Sequence, residues 1–237
     1  ATVGYEAFYE FAGIVTMANN TALIRIEPRA FKLASSTAST IDLRGATALT
    51  TVDFYAFFEF KGEVHMANNP ALDTIGDNAF YKASSDSTID LRGATNLTTV
   101  DDYAFREFKG IVTMENNTAL SRIGRSAFSL ASKAESTIDL TGATALATVG
   151  ISAFSEFKGE VTMAGSYPLL ETIESGVFYN ASNPNSTIDL SQATSLTTIK
   201  GCKVCNDTET HFGAFEQFAG IVTIFNTLVL IESQAFY

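Results

Sequence analysis

An Ala-Phe pair, once replaced by Val-Phe, recurs along the whole chain and constrains the fold more than any other feature. The repeated phenylalanines are Phe8, Phe31, Phe57, Phe80, Phe105, Phe128, Phe154, Phe178, Phe215 and Phe236. Most intervals between them are 21 to 26 residues, and one interval is 37 residues. A unit this short cannot bury its own apolar side, so neighbouring units are expected to stack around one core. The sequence therefore predicts a repeat solenoid of about ten turns that forms a single domain over residues 1–237.

Two kinds of unit alternate, and each contains a short segment in which apolar and polar residues alternate. The first kind includes FKGIVTM (108–114), and the second includes STIDL (87–91). This alternation predicts short strands with one buried side. The spacing of apolar residues over 97–105 is that of a helical or 3₁₀ segment. We therefore expect an α/β type of solenoid, with a parallel β-sheet on one face and short helical or 3₁₀ segments on the other.

The segments LDTIGDNAF (72–80) and LTTVDDYAF (97–105) share the pattern L-x-x-[IV]-x-x-x-A-F. This pattern resembles the BspA-like class of leucine-rich repeats, and the resemblance covers essentially the whole chain. Two departures exist: residues such as Ala83 and Phe108 replace the Cys that usually follows Ala-Phe by three residues, and the bend before Leu is about two residues longer. The resemblance implies a leucine-rich-repeat protein of the cell surface or extracellular space that adheres to host proteins or to other cells.

Strand alternation also indicates which side chains leave the core and form columns on the exposed sheet face. The column that we expect to bind a protein or glycan contains Asp42, His65, Asp90, Thr113, Asp139, Thr162 and Asp189. The alternative interpretation is a solvated face that keeps the sheet soluble. Neighbouring Asp residues are two units apart, about 9–10 Å, which is too far for two of them to chelate one calcium ion. We therefore predict no metal site in this column.

The insertion at 200–213 is the one break in the periodicity, and such breaks often form functional loops. It contains both cysteines of the chain, Cys202 and Cys205, together with His211. We expect a local disulfide between the two cysteines. The alternatives are a zinc site completed by Asp207 or Glu209, and a disulfide to another molecule.

Six asparagines begin the N-x-S/T sequence that directs N-glycosylation in secreted proteins. They are Asn19, Asn96, Asn116, Asn180, Asn185 and Asn206. Their number suggests an extracellular glycoprotein. A buried asparagine ladder that stabilises the bends is the structural alternative, and it applies equally to Asn69, which Pro70 excludes from glycosylation.

Composition limits the other function classes. The net charge of −11 excludes ordinary nucleic-acid binding, and no apolar run approaches the length of a membrane span. The sequence contains no phosphate-binding glycine loop and no nucleophile elbow, so we predict no enzymatic activity and no cofactor. The four methionines share one inward strand position, which indicates core residues rather than copper ligands.

The first and last residues match positions inside the repeat: ATVGYEAF resembles 147–154 and LIESQAFY resembles 172–179. Neither end therefore looks like the polar cap that isolated solenoids need. We expect a longer array or a head-to-tail assembly of subunits. The sequence predicts a non-enzymatic extracellular adhesion protein, and the alternative is a structural subunit of an extracellular filament or coat.

Overall fold

The computed structural model of the chain describes residues 1–18, 20–84, 86–201, 212–224 and 230–237. Short β-strands are the regular elements of these ranges, and none of the described residues lies in a helix that could cross a lipid bilayer. The strands are β1 (Thr2–Val3), β2 (Thr16–Met17), β3 (Arg25–Ile26), β4 (Thr40–Asp42), β5 (Thr51–Val52), β6 (Glu63–Met66), β7 (Thr74–Ile75), β8 (Thr88–Asp90), β9 (Thr99–Val100), β10 (Ile111–Met114), β11 (Arg122–Ile123), β12 (Thr137–Asp139), β13 (Thr148–Val149), β14 (Glu160–Met163), β15 (Thr172–Ile173), β16 (Thr187–Asp189), β17 (Thr198–Ile199), β18 (Ile221–Thr223) and β19 (Leu230–Ile231).

Odd-numbered and even-numbered strands form separate parallel sheets, so the chain is a solenoid that places one strand in each sheet per turn. The even-numbered strands form a nine-stranded sheet in the order β2 to β18. The odd-numbered strands form a seven-stranded sheet, β1 to β13, and a three-stranded sheet of β15, β17 and β19. Thr198 lies opposite Leu230, so the stack continues on both sides of the insertion predicted at 200–213.

The predicted helical or 3₁₀ segments are wrong for the described residues. The apolar residues of 97–105 are buried as their spacing indicates, but the backbone that carries them runs from the short strand β9 into a β-turn segment over residues 102–107. Both a helix and a chain of turns bring residues three and four apart to one side, so the spacing alone does not distinguish them. The buried residues of this segment are Leu97, Val100, Ala104 and Phe105.

Hydrogen bonds between units explain why these segments do not become helical. The N–H of Tyr103 donates to the carbonyl of Arg125 at 2.8 Å, and the N–H of Phe105 donates to Ala127 at 2.7 Å. The N–H groups between these donors bond within their own unit; for example, the N–H of Arg106 donates to the carbonyl of Tyr103 at 3.0 Å. Because alternate donors bond to the next unit, the continuous i to i−4 ladder of an α-helix cannot form.

The repeated phenylalanines form a stacked column along the solenoid. Successive ring centroids are 4.9 to 5.5 Å apart and the ring planes differ by no more than 15°. We call this column the phenylalanine ladder. A second phenylalanine of every other unit packs edge-on against it: Phe108 lies 5.6 Å from Phe105 and 6.1 Å from Phe80. Parallel and edge-on contacts of this kind add to the stabilisation from burial itself.

Polar residues of the repeat complete the core at the nine-stranded sheet. The buried hydroxyl of Ser136 accepts the N–H of Val112 at 3.1 Å. A side chain at Gly159 would collide with the carbonyl oxygen of Ser136, which explains the glycine of the F-x-G segment. The hydroxyls of three further serines accept a backbone N–H in the same way: Ser39, Ser87 and Ser186. A side chain would likewise collide with the carbonyls of these serines at Gly62, Gly110 and Gly220.

Buried side-chain amides stabilise the bends that follow the strands. Asn69 donates to the carbonyls of Leu43 and Ala46 at 2.8 and 3.2 Å, and Asn117 makes the same two bonds one repeat later. The buried Tyr167 replaces them in the next repeat and donates to a backbone carbonyl at 3.1 Å. Burial raises the pKa of its hydroxyl to about 12. These contacts bear out the buried asparagine at Asn69, whereas in the next repeat the buried residue is Asn117 and the sequon residue Asn116 is exposed.

Candidate binding face

The column predicted from strand alternation lies on the outer side of the nine-stranded sheet. All of its members are partly exposed, while the two residues next to each of them in the chain are buried. Asp42 lies opposite His65, and Asp139 lies opposite Thr162 in the parallel register. We call this surface the acid–threonine face, and it consists of Asp42, His65, Asp90, Thr113, Asp139, Thr162 and Asp189.

Each aspartate of the face also ends its own strand. The Oδ1 atom of Asp42 accepts the N–H of the residue two positions later, Arg44, at 3.0 Å. Asp139 accepts the N–H of Thr141 in the same way at 2.8 Å. The two other aspartates, Asp90 and Asp189, make the equivalent bond at 3.0 and 2.8 Å. These are Asx turns, so the aspartates have a structural role that alternation alone did not reveal.

Arginines neutralise the aspartates at one end of the face. The Nη2 atom of Arg44 lies 2.7 Å from Oδ2 of Asp42, and Arg92 pairs with Asp90 at the same distance. The Arg44 hydrogen bond lowers the pKa of the Asp42 carboxyl to about 2, and Arg92 lowers the pKa of Asp90 in the same way. This pairing is visible in the sequence, because each Arg stands two residues after its Asp and the Asx turn brings them together.

The other end of the face keeps its negative charge. Thr141 and Ser191 occupy the positions of the two arginines, so Asp139 and Asp189 have no ion-pair partner among the described residues. A shallow hollow of about 190 Å³ lies beside Asp139. Its lining consists of Met114, Glu115, Thr137, Ile138, Asp139, Glu160 and Thr162. Three carboxylates around one hollow favour a cationic group such as a lysine or arginine side chain.

His65 takes the place that threonine has in other repeats. Its Nδ1 atom lies 2.8 Å from Oγ1 of Thr88, and its Nε2 atom lies 3.1 Å from a carboxylate oxygen of Glu63. These two contacts hold the ring against the sheet. The histidine therefore belongs to the acid–threonine face as a positioned side chain.

A second acidic cluster lies at a corner of the solenoid, and the sequence analysis did not identify it. Oxygen atoms of Asp77, Asp101 and Asp102 come within 4.8 Å of one another. The Arg122 guanidinium already lies 3.0 Å from Asp101 and 2.6 Å from Asp102. The single guanidinium therefore pairs with two of the three carboxylates and offsets part of the charge of the cluster.

The predicted glycosylation sites differ in accessibility. Asn96, Asn116 and Asn185 are exposed. Asn180 is half-buried, and its N–H donates to the carbonyl of Glu216 at 2.9 Å. Two other predicted sites, Asn19 and Asn206, lie outside the described residues, as do the predicted disulfide cysteines Cys202 and Cys205 and the alternative ligand His211.

Comparison with known proteins gives one family. The family model described as "BspA type Leucine rich repeat region" matches six copies, over residues 1–93, 26–158 and 73–206. No curated protein and no solved structure matches the chain.

Proposed function

Because the chain belongs to the BspA-type leucine-rich-repeat family, we propose that it is a non-enzymatic binding protein of the cell surface or extracellular space. Its ligand is a protein whose basic segment docks on the acid–threonine face. The single observation that carries this proposal is the charge difference along the face. Asp42 and Asp90 are paired with arginines, whereas Asp139 and Asp189 are not. Uncompensated charge on a regular surface supplies steering and specificity for an oppositely charged partner.

Replacing the unpaired aspartates by asparagine tests this proposal without removing the turns. Asparagine keeps the side-chain oxygen that accepts the N–H two residues later, so only the charge changes. The chain is screened by surface plasmon resonance against a panel of extracellular-matrix and cell-surface proteins. Binding of the strongest protein ligand should weaken at least tenfold in the double variant Asp139→Asn, Asp189→Asn.

The matched control is the double variant Asp42→Asn, Asp90→Asn, which removes the same charge from the same register. Because these carboxylates are already paired with arginines, we expect the affinity to change by less than about threefold. Equal losses in both double variants would indicate an effect of total charge and contradict the proposal. Binding only to an immobilised glycan panel, lost in the first variant, would make a glycan the ligand of this face.

A structural subunit of an extracellular filament or coat is the second candidate. The observation that favours it is the apolar surface at both ends of the described solenoid. Ile14 and Ile24 are 65% and 48% exposed at one end, and Ile231 and Phe236 are 51% and 45% exposed at the other. A second copy stacked head to tail would cover both surfaces and extend without closing. Light scattering that shows a monodisperse monomer at high concentration would contradict this candidate.

An extracellular location predicts glycans on the accessible sequons. Asn96, Asn116 and Asn185 are exposed, so we expect modification at these sites in natively sourced protein. Intact mass before and after enzymatic removal of N-glycans measures this. An unchanged mass would contradict the glycoprotein proposal and leave the binding proposal to its own test.

A further inference from the structure

Aromatic side chains cluster on the outer side of the β-turn segments, away from the acid–threonine face. They surround an open groove of about 310 Å³. The groove is lined by Tyr55, Phe58, Asn78, Tyr81, Tyr103 and Arg106, and we call it the tyrosine slot. Its volume is at the lower end of the range for small-molecule sites.

The slot arises from one short residue in a column of longer ones. Tyr55, Asn78 and Tyr103 each precede the alanine of the Ala-Phe pair in three consecutive units. Backbone hydrogen bonds fix this register. The N–H of Tyr55 donates to the backbone carbonyl of Asp77, and the N–H of Asn78 donates to the backbone carbonyl of Asp102. Asn78 does not reach as far from the backbone as its tyrosine neighbours, so a gap remains between them.

The repeat spacing sets the width of the gap. In these units the phenylalanine ladder has ring separations of 5.2 and 5.1 Å. The attachment points of Tyr55 and Tyr103 are therefore about 10 Å apart. A flat aromatic ligand in contact with two walls at about 3.5–4.0 Å each needs walls only about 7–8 Å apart. On this spacing the gap also admits a thicker, puckered ring.

The rest of the slot is part aromatic and part polar. Phe58 and Tyr81 stack at 4.9 Å, and the guanidinium of Arg106 lies over the Tyr103 ring at 5.6 Å. The Nε atom of Arg106 is buried and lies 3.9 Å from Oε1 of Glu107, so the remaining guanidinium nitrogens are the donors that a ligand in the slot can reach. The Asn78 amide adds donors and an acceptor at the same groove. An aliphatic side chain in the slot would displace water from the Asn78 amide and the Arg106 guanidinium without replacing its hydrogen bonds.

We propose that the tyrosine slot binds a pyranose ring of a glycan. The C–H faces of the sugar pack against the tyrosine walls, and its hydroxyl groups accept from Arg106 and exchange hydrogen bonds with Asn78. The tyrosine slot lies away from the acid–threonine face, and this proposal does not rest on the function proposed for that face.

Saturation-transfer NMR and calorimetry of the full chain test the proposal with defined probes. The probes are the methyl glycosides of glucose, galactose, mannose, N-acetylglucosamine, glucuronic acid and N-acetylneuraminic acid, with adenosine as the planar competitor. We expect at least one glycoside to bind with a dissociation constant of about 0.1–10 mM, as for a ligand of this size in an open site. Failure of all six to bind, or tighter binding of adenosine, would overturn the proposal.

Filling the slot provides the matched pair of variants. Asn78→Tyr places a ring in the gap, whereas Ser152→Tyr makes the same change at the same register position away from the slot. The first should lose at least tenfold in glycoside affinity and the second should stay within about twofold of the original chain. Tyr103→Ala, which removes a wall without adding bulk, should also lose at least tenfold. Wild-type affinity in Asn78→Tyr or Tyr103→Ala would contradict the assignment.

Discussion

At the scale of single residues, the repeat depends on backbone conformations that most residues avoid. The residue before the Ala-Phe pair and the second residue after it have positive φ in most units, as Tyr103 (58°) and Glu107 (52°) do. Left-handed backbone costs a residue with a side chain about 1 kcal/mol or more. Hydrogen bonds to the next unit offset this cost, because they fix the turn in this conformation. Glycine takes the first of these positions at Gly176, with φ of 63°.

We predict that Gly176→Ala lowers the free energy of unfolding by about 1–2 kcal/mol, since alanine must adopt the left-handed conformation there. Gly176→Asn should lose less, because asparagine tolerates this region and Asn78 has φ of 54° at the same position of another unit. Urea denaturation of the three proteins measures both differences. Equal stability of the alanine variant and the original chain would contradict the conformational argument.

The Asp42–Arg44 pair makes a pH-dependent contribution to stability. The pKa of Asp42 falls from 3.8 to about 2 because Arg44 donates to its carboxylate. A carboxyl whose pKa is lower in the folded state stabilises the fold above its unfolded pKa, and this stabilisation disappears as the pH falls from about 4 to about 2. Because the pair is partly exposed to solvent, its contribution to the free energy of unfolding is about 1 kcal/mol.

Asp42→Asn should therefore weaken the loss of stability between pH 4 and pH 2, as measured by thermal denaturation at each pH. Arg44→Gln should have the same effect, because the guanidinium is the first cause of the lowered pKa. If both variants keep the acid dependence of the original chain, this ion pair does not contribute to it.

At the scale of elements, sequence periodicity predicts which side chains are buried better than it predicts the backbone that carries them. Alternation in β8 and β10 correctly assigned the inward and outward positions, because a strand has only two sides. The helical expectation failed since the bonds from Tyr103 and Phe105 to the next unit depend on a neighbour more than twenty residues away. Propensity within one unit does not contain that information.

The same limit applies to the candidate sites. The acid–threonine face follows from strand alternation. The Asp-x-Arg spacing also predicts which of its aspartates are paired with arginines. The tyrosine slot gives no local signal, because Tyr55 and Tyr103 lie two units apart in the sequence and only the stacking register brings them to one groove. Sites assembled between units therefore require the structure.

The phenylalanine ladder is the element whose disruption should be most costly. Phe105 is fully buried between Phe80 and Phe128, whereas Phe236 is 45% exposed and contacts the ladder on one side. We predict that Phe105→Ala lowers the free energy of unfolding by about 3–5 kcal/mol and that Phe236→Ala lowers it by less than about 2 kcal/mol. Chemical denaturation measures both changes. Equal losses of stability would contradict the argument that each phenylalanine stabilises the fold through its neighbours in the ladder.

At the scale of the whole molecule, stacking converts a short repeat into two long surfaces with different chemistry. One continuous apolar cluster extends from Val15 to Ala235 and supports both surfaces. The nine-stranded sheet presents carboxylates and hydroxyls, and the turn segments present tyrosines with a guanidinium. Substitutions at equivalent positions, such as Arg44 against Thr141, then distinguish one part of a surface from another. A regular scaffold can therefore acquire localised binding sites through single residues.

Hydrogen-exchange mass spectrometry, with and without the strongest protein ligand from the binding panel, tests the central claim most directly. Docking on the unpaired part of the acid–threonine face should slow exchange at backbone amides of β12, β14 and β16, and at those of Thr141 and Ser191, which lie just beyond β12 and β16. Exchange in β4 and in the Asp42–Arg44 turn should change little. Protection confined to β4 and β8, or to the turn segments alone, would contradict the account.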